Sequence, residues 1–286
     1  MLKKILSKLR FKWLINRELK RVSENFAFPI KDHKKGIWAV TMVRNESVTL
    51  PVIVKHFRQQ GISRVLVVNH LSTDDTLESL APFGDFVQVA QYDHAAYEQR
   101  AVMTLASRFA NECGASWIIP FDADEIWWPT RGRTLAELLE SSTTDKIPAP
   151  HYDFLPPSNP LENFSPENFR LRRFKPNPMP KTAFRAHPKA IVSMGNHWVQ
   201  RPGSSGDGLV IAHYPYRSRE QLRKKVKEGA SAINVLGNTK GLGTHWQQWN
   251  AMNDKDFEIF WNDLQSSDDI VNDPELCSLR TGKEPS

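Results

Sequence analysis

The sequence predicts an α/β fold: a mostly parallel sheet covered by helices on both faces, followed by a C-terminal helical extension. Three observations point there. Short apolar, β-branched runs alternate with amphipathic stretches of roughly 10 to 20 residues, the helical length range. The short runs are apolar throughout rather than at every second residue, as strands buried on both faces are. Turn and capping chemistry separates the two kinds of segment.

The elements follow in order. "GIWAVTMV" (36–43) reads as the first strand; "RNES" breaks it, and "VTLPVIVKHFRQQG" (48–61) reads as a helix with Pro51 near its start and Gly61 at its end. "RVLVVNH" (64–70) is the second strand, "LSTDDT" supplies turn and capping residues, and "LESLAPFG" continues as a short helix. "DFVQVAQYD" is the third strand, "AAYEQRAVMTLASRFANECGA" a long helix closed by Gly114, and "SWIIPF" the fourth strand. From about Lys146 to Gly208 the chain turns rich in Pro and Asn, with short strands such as "FRLRRF"; long segments of this kind form binding walls. "SREQLRKKVKEGASAI" and "HWQQWNAMNDKDFEIFWNDL" return to helical texture, and the last residues are expected to fray.

At 286 residues and 40% hydrophobic content the chain can bury a substantial core. Its formal charge of +6 suits an anionic partner, but the basic residues concentrate in the first 35 positions and scatter thereafter. That pattern fits a phosphorylated small molecule or an anionic membrane surface and argues against nucleic acid. Leu2, Ile5, Leu6, Leu9 and Trp13 recur at helical spacing among lysines, an amphipathic pattern suited to packing on the protein's own body or to peripheral membrane contact. Lysines and arginines interrupt every apolar run there, so neither a secretory signal nor a spanning helix is expected. Cys113 and Cys277 are far apart and lack metal-ligand spacing, which predicts no disulfide framework and a cytoplasmic protein.

The chemistry concentrates in "IIPFDADEIWWP" (118–129), where Asp122, Asp124 and Glu125 follow the fourth strand. Ligands of parallel α/β sheets bind beyond the carboxyl ends of the strands. In an extended segment Asp122 and Asp124 would point to the same side with α-carbons roughly 7 Å apart. Two carboxylates that close call for a cation between them. Oxygen ligands favour Mg²⁺ or Mn²⁺. A capping role for the aspartates, with Glu125 as the first acid of a helix, is the structural alternative.

The stretches "MVRNES", "VVNHLSTDDT", "WIIPFDADEIW", "FRLRRF" with "MPKTAFR", "GNHW" and "IAHYPYRSREQLRKKVKEG" occur in an order and spacing that resemble a GT-A glycosyltransferase of the family 2-like group, close to bacterial proteins with "RNE", "NGSTD.T" and "DxDEF" motifs. The resemblance implies the GT-A, Rossmann-like form of the fold and assigns roles. Val43, Arg44, Glu46 and Asn69 would hold the nucleoside, with Asn69 a departure from the Asp of many relatives. Gln99 and Arg100 would reach the nucleotide from the start of the long helix. Asp122 would contact ribose or metal, Asp124 the metal, and His213 would supply a later metal ligand, with His197 the competing choice. Lys181, Arg185 and Arg217 would pair with phosphates. Glu125 and Asp153 are the candidates for the base of an inverting transfer.

The expectation is therefore a metal-dependent enzyme that uses Mn²⁺ or Mg²⁺ to transfer a sugar from a nucleoside diphosphate sugar to a glycan or lipid-linked acceptor. Residues 1–35 would form a basic lead, 36–215 the catalytic domain and 216–286 a helical extension. Two alternatives predict different products. A non-catalytic nucleotide-sugar-binding protein of the same fold releases nothing. A sugar-1-phosphate nucleotidyltransferase releases pyrophosphate, but it needs a glycine-rich loop that "VTMVRNES" lacks.

Overall fold

The computed structural model describes residues 2–130, 134–157, 163–235, 248–264, 266 and 268–282. The side chains of Leu2, Ile5, Leu6 and Leu9, all of Trp246, and the final four residues lie outside what is described.

The predicted alternation is present. Helix α1 (Leu2–Ser23) and the short β1 (Phe26–Ala27) lead into β2 (Gly36–Val43), α2 (Leu50–Gln59), β3 (Arg64–Asn69), β4 (Val87–Tyr92), α3 (Gln99–Glu112) and β5 (Ala115–Pro120). Between β3 and β4 the expected short helix is a 3₁₀ turn around Pro82, because proline cannot donate an interior helical hydrogen bond. The next elements are β6 (Glu125–Pro129), α4 (Leu135–Ser141), β7 (Lys146–Ala149), β8 (His151–Asp153), β9 (Leu171–Arg173), β10 (Lys181–Arg185), β11 (Ile191–Val192), β12 (Val199–Gln200) and β13 (Leu209–His213). The extension contains helices α5 (Arg219–Asn234) and α6 (Asp254–Asp263), strand β14 (Ile270–Asn272) and the short helix α7 (Cys277–Thr281).

Among the described residues the central sheet has the order β1-β4-β3-β2-β5-β10-β7. Strands β4, β3, β2 and β5 run parallel, and β1, β10 and β7 join antiparallel to their neighbours. The chain is thus an α/β protein with a mainly parallel central sheet flanked by helices. Side-chain alternation along β2 accounts for its continuous apolar run: Ile37, Ala39 and Val43 enter one core with α2, whereas Trp38, Val40 and Met42 enter the other with α3. Ile15, Leu19 and Val22 of α1 are buried in that second core, so the C-terminal half of α1 packs on the body.

The Pro- and Asn-rich stretch contributes more strand than its composition suggests. Its β8 combines with β6 and β13 into a second sheet of order β6-β13-β8. The extension returns to the body: β14 pairs with β9, and the buried Arg172 guanidinium meets Asp273 at 2.6 Å.

Candidate active site

The acidic segment does not continue as an extended strand. The Glu125 N–H donates to the Asp122 carbonyl at 3.0 Å, closing a turn, and Glu125 then opens strand β6 rather than a helix. Strand alternation therefore does not govern the two aspartates, and each has partners of its own.

Asp122 is held on both oxygens. Its Oδ2 meets Lys181 Nζ at 2.5 Å; its Oδ1 accepts from Asn196 Nδ2 at 2.9 Å and from Gln99 Nε2 at 3.2 Å. Lys181, the first residue of β10, also donates to the Gly195 carbonyl at 2.7 Å and pairs with Glu125 Oε1 at 3.0 Å. Gly195 and Asn196 have φ of +70° and +58°, a backbone form that Gly and Asn tolerate. That turn aims the Gly195 carbonyl and the Asn196 amide at the lysine and Asp122. Gln99 ties the same turn to α3 by accepting from the Gly195 N–H at 2.7 Å.

Asp124 is buried, and its Oδ2 accepts from Lys225 of α5. Its Oδ1 faces His213 Nε2 at 3.6 Å. Strand pairing fixes this neighbourhood, because His213 stands opposite Glu125 across β13–β6 and opposite Asp153 across β13–β8. His213 Nδ1 lies 2.7 Å from Asp153 Oδ1. His151, two residues before Asp153, contacts the His213 ring edge-on with centroids 5.4 Å apart.

Burial and charge set the protonation states. Burial raises Glu125 to about 7, with Lys181 opposing that rise and Asp122 adding to it. Asp124 is pushed up by burial, but Lys225 and His213 outweigh it and hold the group well below the carboxylate range. Burial disfavours charge on His213, yet Asp124 and Asp153 lift it to about 10. Burial depresses His151 to about 3, so it stays neutral. Asp122, Asp124 and Asp153 thus face three cations: Lys181, Lys225 and protonated His213.

The donor set fits a divalent ion. His151, Asp153 and His213 each offer a ligand atom, all within 4.8 Å of one another, and Asp124 adjoins His213. A carboxylate on the second imidazole nitrogen, as Asp153 provides for His213, is the arrangement that orients a ligating histidine. Imidazole with carboxylate suits Mn²⁺ better than Mg²⁺. His197 lies beside His151, with ring centroids 6.3 Å apart, and is not among the three groups whose ligand atoms converge.

The other expected residues have partners elsewhere, although Glu46 lies within electrostatic reach of Lys225 and Asp124. Glu46 receives Arg217 at 3.2 Å. Val43 ends β2, where its carbonyl accepts from the His70 N–H at 2.8 Å; Arg44 follows with a buried Nε. Asn69 donates to Gln91 at 2.8 Å and accepts from the Ser72 N–H at 3.2 Å, so its amide fixes the loop after β3. Arg100 turns away to Glu18 of α1 at 2.5 Å. Arg185 is at the opposite end of β10, bonded to the Thr144 carbonyl at 2.9 Å and stacked on Trp117. A cleft of about 950 Å³ lies beside the Glu46–Arg217 pair, lined by Asn45, Ser47, Phe169, Arg217, Gln221 and Trp261 among others.

Sequence reasoning passed over Lys225, Asn196 and His151. For His151 a signal existed: "HYD" at the start of a strand sets His151 and Asp153 on one face. Lys225 stands among several charges in "REQLRKKVKEG" and had no local mark.

No protein-family model matches the chain, and no curated protein matches it. Among solved structures, S. aureus TarS residues 1–349 is similar at 11% identity over 68% of this chain and 65% of that one, with a TM-score of 0.37. TarS in complex with UDP aligns at 9% identity over 79% and 78%, with a TM-score of 0.39. Glucosyl-3-phosphoglycerate synthase from Mycobacterium tuberculosis, in complex with Mn²⁺, UDP and glucosyl-3-phosphoglycerate, aligns at 15% identity over 41% and 44%, with a TM-score of 0.32. The chain therefore spans less than two thirds of the first and the third of these.

Proposed function

We propose that this chain is a GT-A glycosyltransferase of the family 2-like type that moves a sugar from a nucleoside diphosphate sugar to a glycan or lipid-linked glycan acceptor, with Mn²⁺ or Mg²⁺. The observation that carries the reading is the convergence of Asp124, His213, Asp153 and His151 beyond the carboxyl ends of the parallel strands, the ligand end of such sheets. Asp124 and His213 would hold the ion, with His151 beside them and Asp153 orienting His213. When bound, the ion would stabilise negative charge on the leaving diphosphate. Residues 36–215 would form the catalytic unit.

Lys181 and Glu125 act beneath this surface. The Lys181 side chain is 5% exposed and Glu125 is fully buried, so Glu125 shapes the Asp122–Asp124 turn. Asp153 is 22% exposed and has one oxygen free of the His213 bond, which favours it over Glu125 as the base of an inverting transfer. The carboxamides and the Trp261 ring of the adjoining cleft suit a saccharide acceptor. Among the described residues no helix is long and apolar enough to cross a membrane. Exposed Trp13, with Arg17 over its ring, supports peripheral docking on an anionic surface.

The test is turnover. Purified protein with Mn²⁺ and a panel of nucleotide sugars should slowly release nucleoside diphosphate, and Asp124→Ala should abolish release. Binding of a nucleotide sugar without release from the wild type would favour the non-catalytic reading, and pyrophosphate made from a nucleoside triphosphate and a sugar phosphate would favour the nucleotidyltransferase.

A further inference from the structure

We infer that Lys225 is an exchangeable cation: its ammonium neutralises Asp124 until a divalent ion takes that carboxylate, and it then pairs with the diphosphate beside the ion. The diphosphate half rests on the function proposed above; the exchange at Asp124 does not.

The two lysines of the site differ in kind. Lys181 is 5% exposed and is gripped by Asp122, Glu125 and the Gly195 carbonyl. Moving it would leave the buried Glu125 without its nearest cation. Lys225 is 31% exposed, reaches the site on a flexible four-carbon stem and sits on a single carboxylate oxygen of Asp124. The other oxygen of that carboxylate faces His213 Nε2 at 3.6 Å. The lysine therefore occupies the carboxylate that an ion beside His213 would use. A dication and an ammonium repel each other on one carboxylate, so binding of the first favours departure of the second.

Helix α5 keeps the departing ammonium local. Gln221, Lys225 and Glu228 share one face at i, i+4 and i+7. On that face Glu228 accepts from Asn45 Nδ2 at 3.0 Å, and the Gln221 Oε1 accepts from the Arg217 N–H at 3.2 Å. Arg217 pairs with Glu46 at 3.2 Å. Two contacts thus pin α5 to the loop after β2, the loop expected to bear the nucleotide. Glu46, an electrostatic neighbour of Lys225, is already engaged by Arg217, so a diphosphate offers the released lysine a fresh and more highly charged partner. Ion and diphosphate should then strengthen each other's binding, reciprocally.

Mn²⁺ binding followed by electron paramagnetic resonance, in full-length wild type, Lys225→Met and Lys225→Arg, tests the exchange without any turnover. Mn²⁺ alone should bind about tenfold tighter to Lys225→Met than to wild type, and Lys225→Arg should resemble wild type. Equilibrium dialysis of UDP, GDP, ADP and CDP at saturating Mn²⁺ should find the diphosphate that wild type binds held about tenfold more weakly by Lys225→Met. Unchanged or weaker Mn²⁺ binding in folded Lys225→Met overturns the exchange. Should that variant fail to fold, Lys225→Gln takes its place in both measurements, with the same outcomes supporting or overturning the exchange. If Mn²⁺ tightens in Lys225→Met while wild type binds none of the four diphosphates, the exchange at Asp124 stands, and the diphosphate half falls together with the donor reading.

Discussion

Lys181 Nζ lies 2.5 Å from Asp122 Oδ2, and the lysine side chain making this contact is 5% exposed. The same ammonium stands 3.0 Å from the fully buried Glu125. One cation therefore supports two carboxylates, and the turn between them bears Asp124. Removing it leaves two acids without their nearest counter-charge. Lys181→Met should cost ~3–5 kcal/mol, the range for breaking one side of a buried pair, measured as a lowered urea midpoint. Adding Glu125→Gln should restore part of the loss. If the double variant is as unstable as the two single losses added together, the pair is not coupled as described.

Asp153 should matter to metal binding through His213. Its Oδ1 is 2.7 Å from His213 Nδ1, and an imidazole so anchored presents its other nitrogen toward Asp124. Asp153→Asn should weaken Mn²⁺ binding by about 10–100-fold, the usual effect of losing such a partner, in protein that remains folded. Direct titration of Mn²⁺ in the absence of any sugar donor checks this. Undiminished Mn²⁺ affinity would remove Asp153 from the ion's surroundings.

These relationships mark where the sequence stops being legible. The parallel strands and their carboxyl ends at Val43, Asn69 and Pro120 follow from apolar runs bounded by turn residues, because each is set by neighbours in the chain. His213 was placed near Asp124 only through the resemblance; the physical cause is the β6-β13-β8 pairing, which joins segments some 60 to 90 positions apart. The hydrogen bond that bends Asp122–Glu125 into a turn is short-range, yet strand periodicity concealed it. Lys225 depends on how α5 docks, and the composition of "RKKVKEG" is that of any solvated helix face. Arg185 and Lys181 are four residues apart in one strand, yet one supports the carboxylates and the other braces Trp117 and Thr144. Residue type alone does not separate them.

Stability should fall in mild acid through His56. This histidine of α2 is buried, and its Nε2 meets the Trp127 carbonyl at 2.7 Å, so that nitrogen carries the proton of a neutral ring. Burial depresses its pKa to about 4; the Trp127 hydrogen bond opposes this and the Arg280 charge adds to it. An unfolded histidine titrates near 6.5. Between those values the unfolded chain binds more protons, so this contribution is complete above pH 6.5 and is lost as pH falls toward 4, by up to ~3 kcal/mol. Urea unfolding at a series of pH values, in wild type and His56→Gln, should show a shallower slope over that window in the variant. Parallel slopes would mean that other groups carry the acid sensitivity.

Helix α1 should divide into two functional halves. Ile15, Leu19 and Val22 are 3%, 7% and 0% exposed, Glu18 pairs with Arg100 at 2.5 Å, and Arg21 pairs with Glu98. Each buried aliphatic side chain contributes ~1.5–3 kcal/mol, so deleting residues 1–30 should destabilise the whole chain and say nothing about membranes. A chain beginning at Trp13 keeps all of those contacts and should melt within a few degrees of the full-length protein. If the basic lead docks on membranes, the shorter chain should lose most of its binding to vesicles rich in anionic lipid, and the full-length protein should release from them as salt is raised, because screening weakens exposed charges. Equal sedimentation of both chains with anionic vesicles would confine α1 to a structural role.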